Sequence, residues 1–221
     1  MELAELGYKC FGNGSLRSPA AGIAPKESRP LFSKLRTLRM LLSSCITYKV
    51  VAVNAFRCAL QARPLNRVSF KRAADLLIRL NLITTVMSDD YDLVIFDQGV
   101  IQYIWSIAAT NKPASNADLL KLLESVLNEI PLAVILVDIN TGIAVERIIQ
   151  RPTMSSRFDK MPSNRAAQSL STQRDFFMQF VNWSVELKNI PHLALNGTHP
   201  INENAGTVVR FIVKTWQITN P

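Results

Sequence analysis

Glycine, cysteine and histidine are all scarce in this chain of 221 residues, which holds eight, three and two of them. The shortage of glycine excludes most. A loop that cradles phosphates needs G-x-x-x-x-G-K-[ST] between a strand and a helix, so that backbone N–H groups and one lysine surround the phosphoryl oxygens. The nearest approach is "GYKCFGNG": Gly7 and Gly12 have the spacing, but Asn13 stands in the lysine's place and a loop follows instead of a helix. "GNGSLR" opens like a dinucleotide fingerprint and lacks its third glycine. Neither qualifies. Cys10, Cys45, Cys58, His192 and His199 show no metal-ligand spacing, and a sparse, odd set of cysteines fits a reducing cytoplasm. HExxH, GxSxG and C-x-x-C are absent, and nothing local supports either histidine in a Ser-His-Asp arrangement.

Long apolar runs are missing too. The longest, Leu41 to Leu60, is interrupted by Lys49, Asn54 and Arg57, so it reads as a buried or partner-facing helix and no membrane partner is expected. Met1 to Gly7 is short, acidic and without an apolar core, which argues against a secretory signal and for a cytoplasmic protein. The sequons at Asn13, Asn182 and Asn196 then mean little. What the chain does have is 48% hydrophobic and 19% charged residues, the balance of a globular protein. Lys and Arg outnumber Asp and Glu by 25 to 17, a formal charge of +8. That balance favours acidic partners. The cations form no block of five or six, and interleaved aromatics are lacking. A phosphorylated small ligand is therefore favoured over nucleic acid.

Strand and helix patterns alternate along the chain. "YKCFG" reads as a strand, followed by a loop rich in Gly, Ser and Pro. Helical segments are expected over about 31 to 62, with a possible break, and over 67 to 88, where Val68, Ala74, Leu77, Ile78, Leu82 and Val86 approximate a stripe. Arg67, Lys71, Arg72 and Arg79 read mainly as a solvated face. "LVIFD" is a strand and about 99 to 110 a helix. "ADLLKLLESVLNEI" is an amphipathic helix capped by Ser115 or Asn116 and stopped by Pro131. "LAVILVDI" is continuously apolar, as in a strand covered on both faces. A helix opens at Asn140 or Thr141, with Ala144, Val145, Ile148 and Ile149 as its buried stripe. A basic loop, a helix over about 165 to 188, the short strand "PHLALNG" and a closing helix complete the chain. In that last helix Ala205, Val208, Val209, Ile212, Val213 and Trp216 form the stripe. The expected fold is a single α/β domain, 1–221, with a parallel central sheet flanked by helices.

In such sheets ligands bind beyond the carboxyl ends of the strands. Asp97 ends one strand and is a site candidate, or else the N-cap of the helix that follows. Asp138 ends another and reads chiefly as a cap for the helix near Thr141. Arg147 and Arg151, four residues apart, share one helical face. With Arg157 in the following loop they suit phosphoryl oxygens, because guanidinium forks match them. A solvated face beside Glu146 explains them equally well.

"LVIFDQG", "PLAVILVDINTGIAVERIIQR", "RFDK" and "HLALNGTHPINENAGTVVRFI", taken in order, resemble the second half of a thymidylate-kinase-like protein of the P-loop nucleoside and nucleotide kinase group. The resemblance covers roughly 88 to 215. It implies a P-loop NTPase-like three-layer sandwich and phosphoryl transfer from ATP, with Mg²⁺, to a nucleoside, nucleotide or similar small acceptor. About 152–164 would be a lid loop. Asp97 matches the strand-end acid near the magnesium-bound phosphates, and Gln98 stands where thymidylate kinases carry an arginine for the acceptor phosphate. Arg147, Arg151 and Arg157 match the helix and lid arginines that steady the transferred group. "ELAELGYKC" looks like the end of the helix after the phosphate loop, so the fold is expected to be N-terminally incomplete. Weak or absent turnover, and self-association as a homodimer, would follow. The alternative is a non-catalytic scaffold, derived from a kinase, that binds a ligand or partner.

Overall fold

The computed structural model describes residues 10–12, 30–61, 67–87, 93–96, 99–108, 115–150 and 161–219. Contacts divide the chain into two compact units, Glu2–Pro131 and Leu132–Pro221.

The Glu2–Pro131 unit contains strand β1 (Cys10–Gly12), helices α1 (Pro30–Thr47), α2 (Lys49–Gln61) and α3 (Arg67–Met87), strand β2 (Leu93–Ile95), and helices α4 (Val100–Ala108) and α5 (Asn116–Glu129). β1 and β2 pair in parallel, Cys10 opposite Leu93 and Gly12 opposite Ile95, with α1–α3 as the crossover. α1, α2 and α4 all pack on α3, and α5 lies against α2 and α4. Leu76, Leu77, Leu80, Ile104, Leu119 and Leu122 are fully buried where these helices meet. The expected break in the first helical segment falls at Tyr48, whose buried hydroxyl lies 2.6 Å from Thr84 Oγ1. α5 follows its sequence pattern: Leu119, Leu122, Leu123, Val126, Leu127 and Ile130 are all buried. Ser115 is its cap, the side chain accepting from the Asp118 N–H.

α3 departs from its expected stripe. Ser69, Ala73, Leu76, Leu77, Leu80, Ile83 and Val86 are buried, whereas Val68 is 55% exposed. A helix packed by three others has more than one inward face, so a single apolar stripe does not describe it.

The Leu132–Pro221 unit contains β3 (Val134–Asp138), α6 (Thr141–Ile149), α7 (Ser163–Lys188), β4 (His192–Asn196) and α8 (Ile201–Thr219). β3 and β4 pair in parallel from Val134 opposite His192 to Asp138 opposite Asn196, with α6 and α7 as the crossover. α6 packs on α7, and α8 packs on β4. Phe180, Val181, Leu195 and Ile212 are buried, and Phe180 meets Phe176 and Trp183 edge-on, each with ring centroids 5.2 Å away. α7 ends on Asn189 in the left-handed conformation, its N–H returning to Val185 O.

Both strand pairs are parallel and joined through helices, as in an α/β fold, but among the described residues they form two separate two-stranded sheets instead of the expected central one. Three details differ from expectation. β3 is not covered on both faces: Val134, Leu136 and Asp138 are half-buried, while Ile135 and Val137 are exposed. α6 stops at Ile149, with Gln150 as its C-cap, its N–H donating to Glu146 O. Ile149, placed in the buried stripe of that helix, is 64% exposed, and Ala205 in α8 is exposed as well.

Candidate functional site

In the Leu132–Pro221 unit a shallow, open depression of about 530 Å³ lies over the carboxyl ends of β3 and β4. Asp138, Ile139, Asn140, Arg174, Ala194, Leu195, Asn196 and Thr198 line it. This is where parallel strands present ligand sites, because the chain leaves each strand end for a turn and a helix N-terminus.

Two loops shape the rim. After β3, Asn140 caps α6: its Oδ1 accepts from the Gly142 N–H at 2.8 Å. The cap expected of Asp138 is therefore made by Asn140. After β4, Asn196 Oδ1 accepts from the Thr198 N–H at 2.9 Å and from the Thr198 hydroxyl at 2.7 Å, a tight polar turn. Asn204, in the first turns of α8, donates to Asn196 O at 2.9 Å. Gly197 joins the two loops. Its N–H donates to Asp138 O at 2.6 Å, and a Cβ there would meet that oxygen at 3.0 Å.

Asp138 is free of the cap because α7 claims it. Arg174 Nε donates to Asp138 Oδ1 at 2.8 Å and Nη2 to Oδ2 at 2.5 Å, the two-pronged geometry a guanidinium fork favours. These bonds hold the Asp138 carboxyl below the usual carboxylate range against the opposing effect of burial, and Asp138 raises Arg174 in return. Arg174 was not singled out from the sequence. It lies 36 residues from its partner, and only the crossover of α7 onto the strand ends brings the two together.

Of the arginines expected to clamp phosphoryl groups, Arg147 is described. It is exposed on α6, and its Nη1 donates to Gly197 O at 3.2 Å, so it braces the turn beside the depression. Arg151 and Arg157 lie outside the described residues, as does most of the expected lid loop. The expected pairing of Arg147 with Arg151 on one helical face therefore lies outside the described residues.

The end of β2, in the Glu2–Pro131 unit, carries a second cluster. Asp97 and Gln98 lie outside the described residues, but Phe96 and Gly99 flank them. The Arg79 guanidinium sits 5.5 Å from the centroid of the Phe96 ring and 5.5 Å from that of Tyr103, and donates to Tyr103 Oη at 3.0 Å. Arg79, placed with the solvated face by the sequence, instead packs against the Phe96 and Tyr103 rings. Its spacing within α3 gives no sign of this, because the aromatic partners lie just after β2 and on α4.

Among the described residues no three His, Cys, Asp or Glu side chains gather as a metal site. Both Asp138 oxygens already accept from Arg174, and one Arg147 nitrogen donates to the Gly197 carbonyl. The carboxylate at the depression is therefore not open to a magnesium ion. No helix among the described residues is long and apolar enough to cross a membrane. No protein-family model, curated protein or solved structure matches the chain.

Proposed function

We propose that this is a kinase-like α/β protein that binds a nucleoside, nucleotide or similar small acceptor, with phosphoryl transfer weak or absent in the chain as it stands. The observation that carries this reading is the depression at the carboxyl ends of the parallel pair β3–β4, rimmed by Asn140, Asn196 and Thr198. The ordered resemblance to thymidylate-kinase-like proteins supports it, and so does the net positive charge, which favours phosphorylated molecules. On this reading the fold is P-loop NTPase-like, and Asp97, Gln98, Arg151 and Arg157 keep the roles that the resemblance implies.

One observation favours the non-catalytic form of the same reading. The strand-end acid of the depression is held anionic and bonded at both oxygens, so Asp138 is a poor proton acceptor and a good anchor.

Calorimetric titration of the full chain with nucleosides, nucleoside monophosphates and ATP, with and without Mg²⁺, tests the proposal. Nucleoside or monophosphate binding weaker than about 0.1 mM is expected, lost in Asn196→Ala. Heats indistinguishable from dilution for every compound would end the ligand-binding reading. Rapid ATP-dependent phosphorylation of any of them would end the claim of weak transfer.

A further inference from the structure

The first two helices turn an apolar face away from the core. In α1, Ser44 and the following Tyr48 are buried, and Tyr48 reaches Thr84 of α3. Leu35, Leu38, Leu42 and Ile46, spaced three or four residues apart, occupy the opposite side and are each more than half exposed. α2 repeats the arrangement. Val51, Ala52, Ala55, Cys58 and Ala59 are buried, whereas Val50, Val53 and Leu60 point outward, each again more than half exposed. Two successive helices thus spend aliphatic side chains on the side that packing does not use.

The charge along the same stretch has one sign. Between Glu27 and Asp75 the sequence holds ten Lys and Arg and no Asp or Glu. Arg39 and Lys49 are exposed among the outward aliphatics, and the Arg57 side chain is 57% exposed although it also bridges to Asp118. Aliphatic side chains interleaved with cations, with carboxylates excluded, match a bilayer whose headgroups are anionic and whose interior is hydrocarbon.

We propose that the outward face of α1 and α2 docks on the surface of an anionic lipid bilayer, lying in the headgroup plane without crossing it. Leu38, Leu42, Ile46 and Val53 enter the acyl boundary, while Arg39 and Lys49 lay their methylenes along it and reach the lipid phosphates. A second copy of the chain is a poorer occupant, because it would set one acid-free cationic face against another. Nucleic acid would leave the aliphatics unused, since single strands seek stacking rings and duplexes seek cations alone. The proposal is independent of the depression at the ends of β3 and β4, which lies in the other unit.

Co-sedimentation of the full chain with vesicles tests it. Phosphatidylcholine vesicles carrying about a third phosphatidylserine are expected to bind the protein, pure phosphatidylcholine vesicles to bind it at least roughly tenfold less, and added salt to weaken the binding. Leu42→Ser combined with Ile46→Ser should lower the partition by roughly tenfold or more. Arg39→Glu combined with Lys49→Glu should do the same. All four side chains point outward, so both variants should keep the wild-type circular dichroism. Three results would overturn the proposal: no binding to the anionic vesicles, equal binding to neutral ones, or undiminished binding by the Leu42→Ser, Ile46→Ser protein. A concentration-dependent dimer in sedimentation velocity, abolished by that same variant, would also overturn it and make the face a self-interface.

Discussion

Arg174 and Asp138, on α7 and at the end of β3, meet through two parallel hydrogen bonds across the crossover of their unit. Both side chains remain more than a third exposed, so solvent screens much of the attraction. Asp138→Asn should lower unfolding stability by about 0.5–1 kcal/mol at neutral pH. The folded carboxyl titrates lower than the unfolded one. The difference between wild type and variant should therefore be full above about pH 4 and vanish as the pH falls through the folded value. Urea titrations of both proteins at a series of pH values measure it. A difference that grew on acidification would contradict this assignment.

Asp118 is a stronger anchor because it is nearly enclosed. It accepts from Gln61 Nε2 at 2.8 Å and from the Ser115 hydroxyl at 2.6 Å, and Arg57 Nε lies 3.0 Å away. The Ser115 and Gln61 bonds hold its carboxyl below the usual range despite burial. Asp118→Ala removes the acceptor that ties α2 to the start of α5, and should cost about 2 kcal/mol. Thermal unfolding near neutral pH is the measurement.

Gly197→Ala should destabilise by about 1–2 kcal/mol, since the added methyl meets Asp138 O at 3.0 Å and Val137 Cγ1 at 3.2 Å. Neither neighbour can yield without moving the end of β3. The same substitution at Gly99, where a Cβ meets nothing within 4 Å, is the control and should be close to neutral.

Cys58 should be silent toward a thiol reagent at pH 8 until the protein unfolds. Burial, aided by the Asp118 carboxylate and opposed by Arg57, pushes its thiol up to about 12. Cys45 is only half-buried, with a milder upward shift, and should react first. Mass spectrometry after timed labelling orders the two.

Elements with one inward side were legible in the sequence. α5 has a single apolar stripe and a serine cap, and both are where the pattern puts them. α3, packed from three directions, and α1 and α2, apolar on opposite sides, defeat the same reasoning because periodicity does not say which side meets protein. β3 misled for a related reason: a continuous apolar run looks the same whether the second face is covered or bare. Of the candidate site, the strand-end position was legible and the partners were not. Arg174 and Arg79 take their roles from residues 36 and 24 positions away, beyond any local signal.

The register of β3 and β4 sets an order of events in time. Asp138 finds Asn196 only after both intervening helices have been made, whereas α7 can coil from local bonds alone. During synthesis α6 and α7 should form early, and the strand pair should close only once Asn196 has left the ribosome. Until then neither the Gly197 contact nor the rim at Thr198 exists. The ligand-sized depression is thus among the last features the growing chain acquires, and a stall just before residue 192 would leave helices without a site.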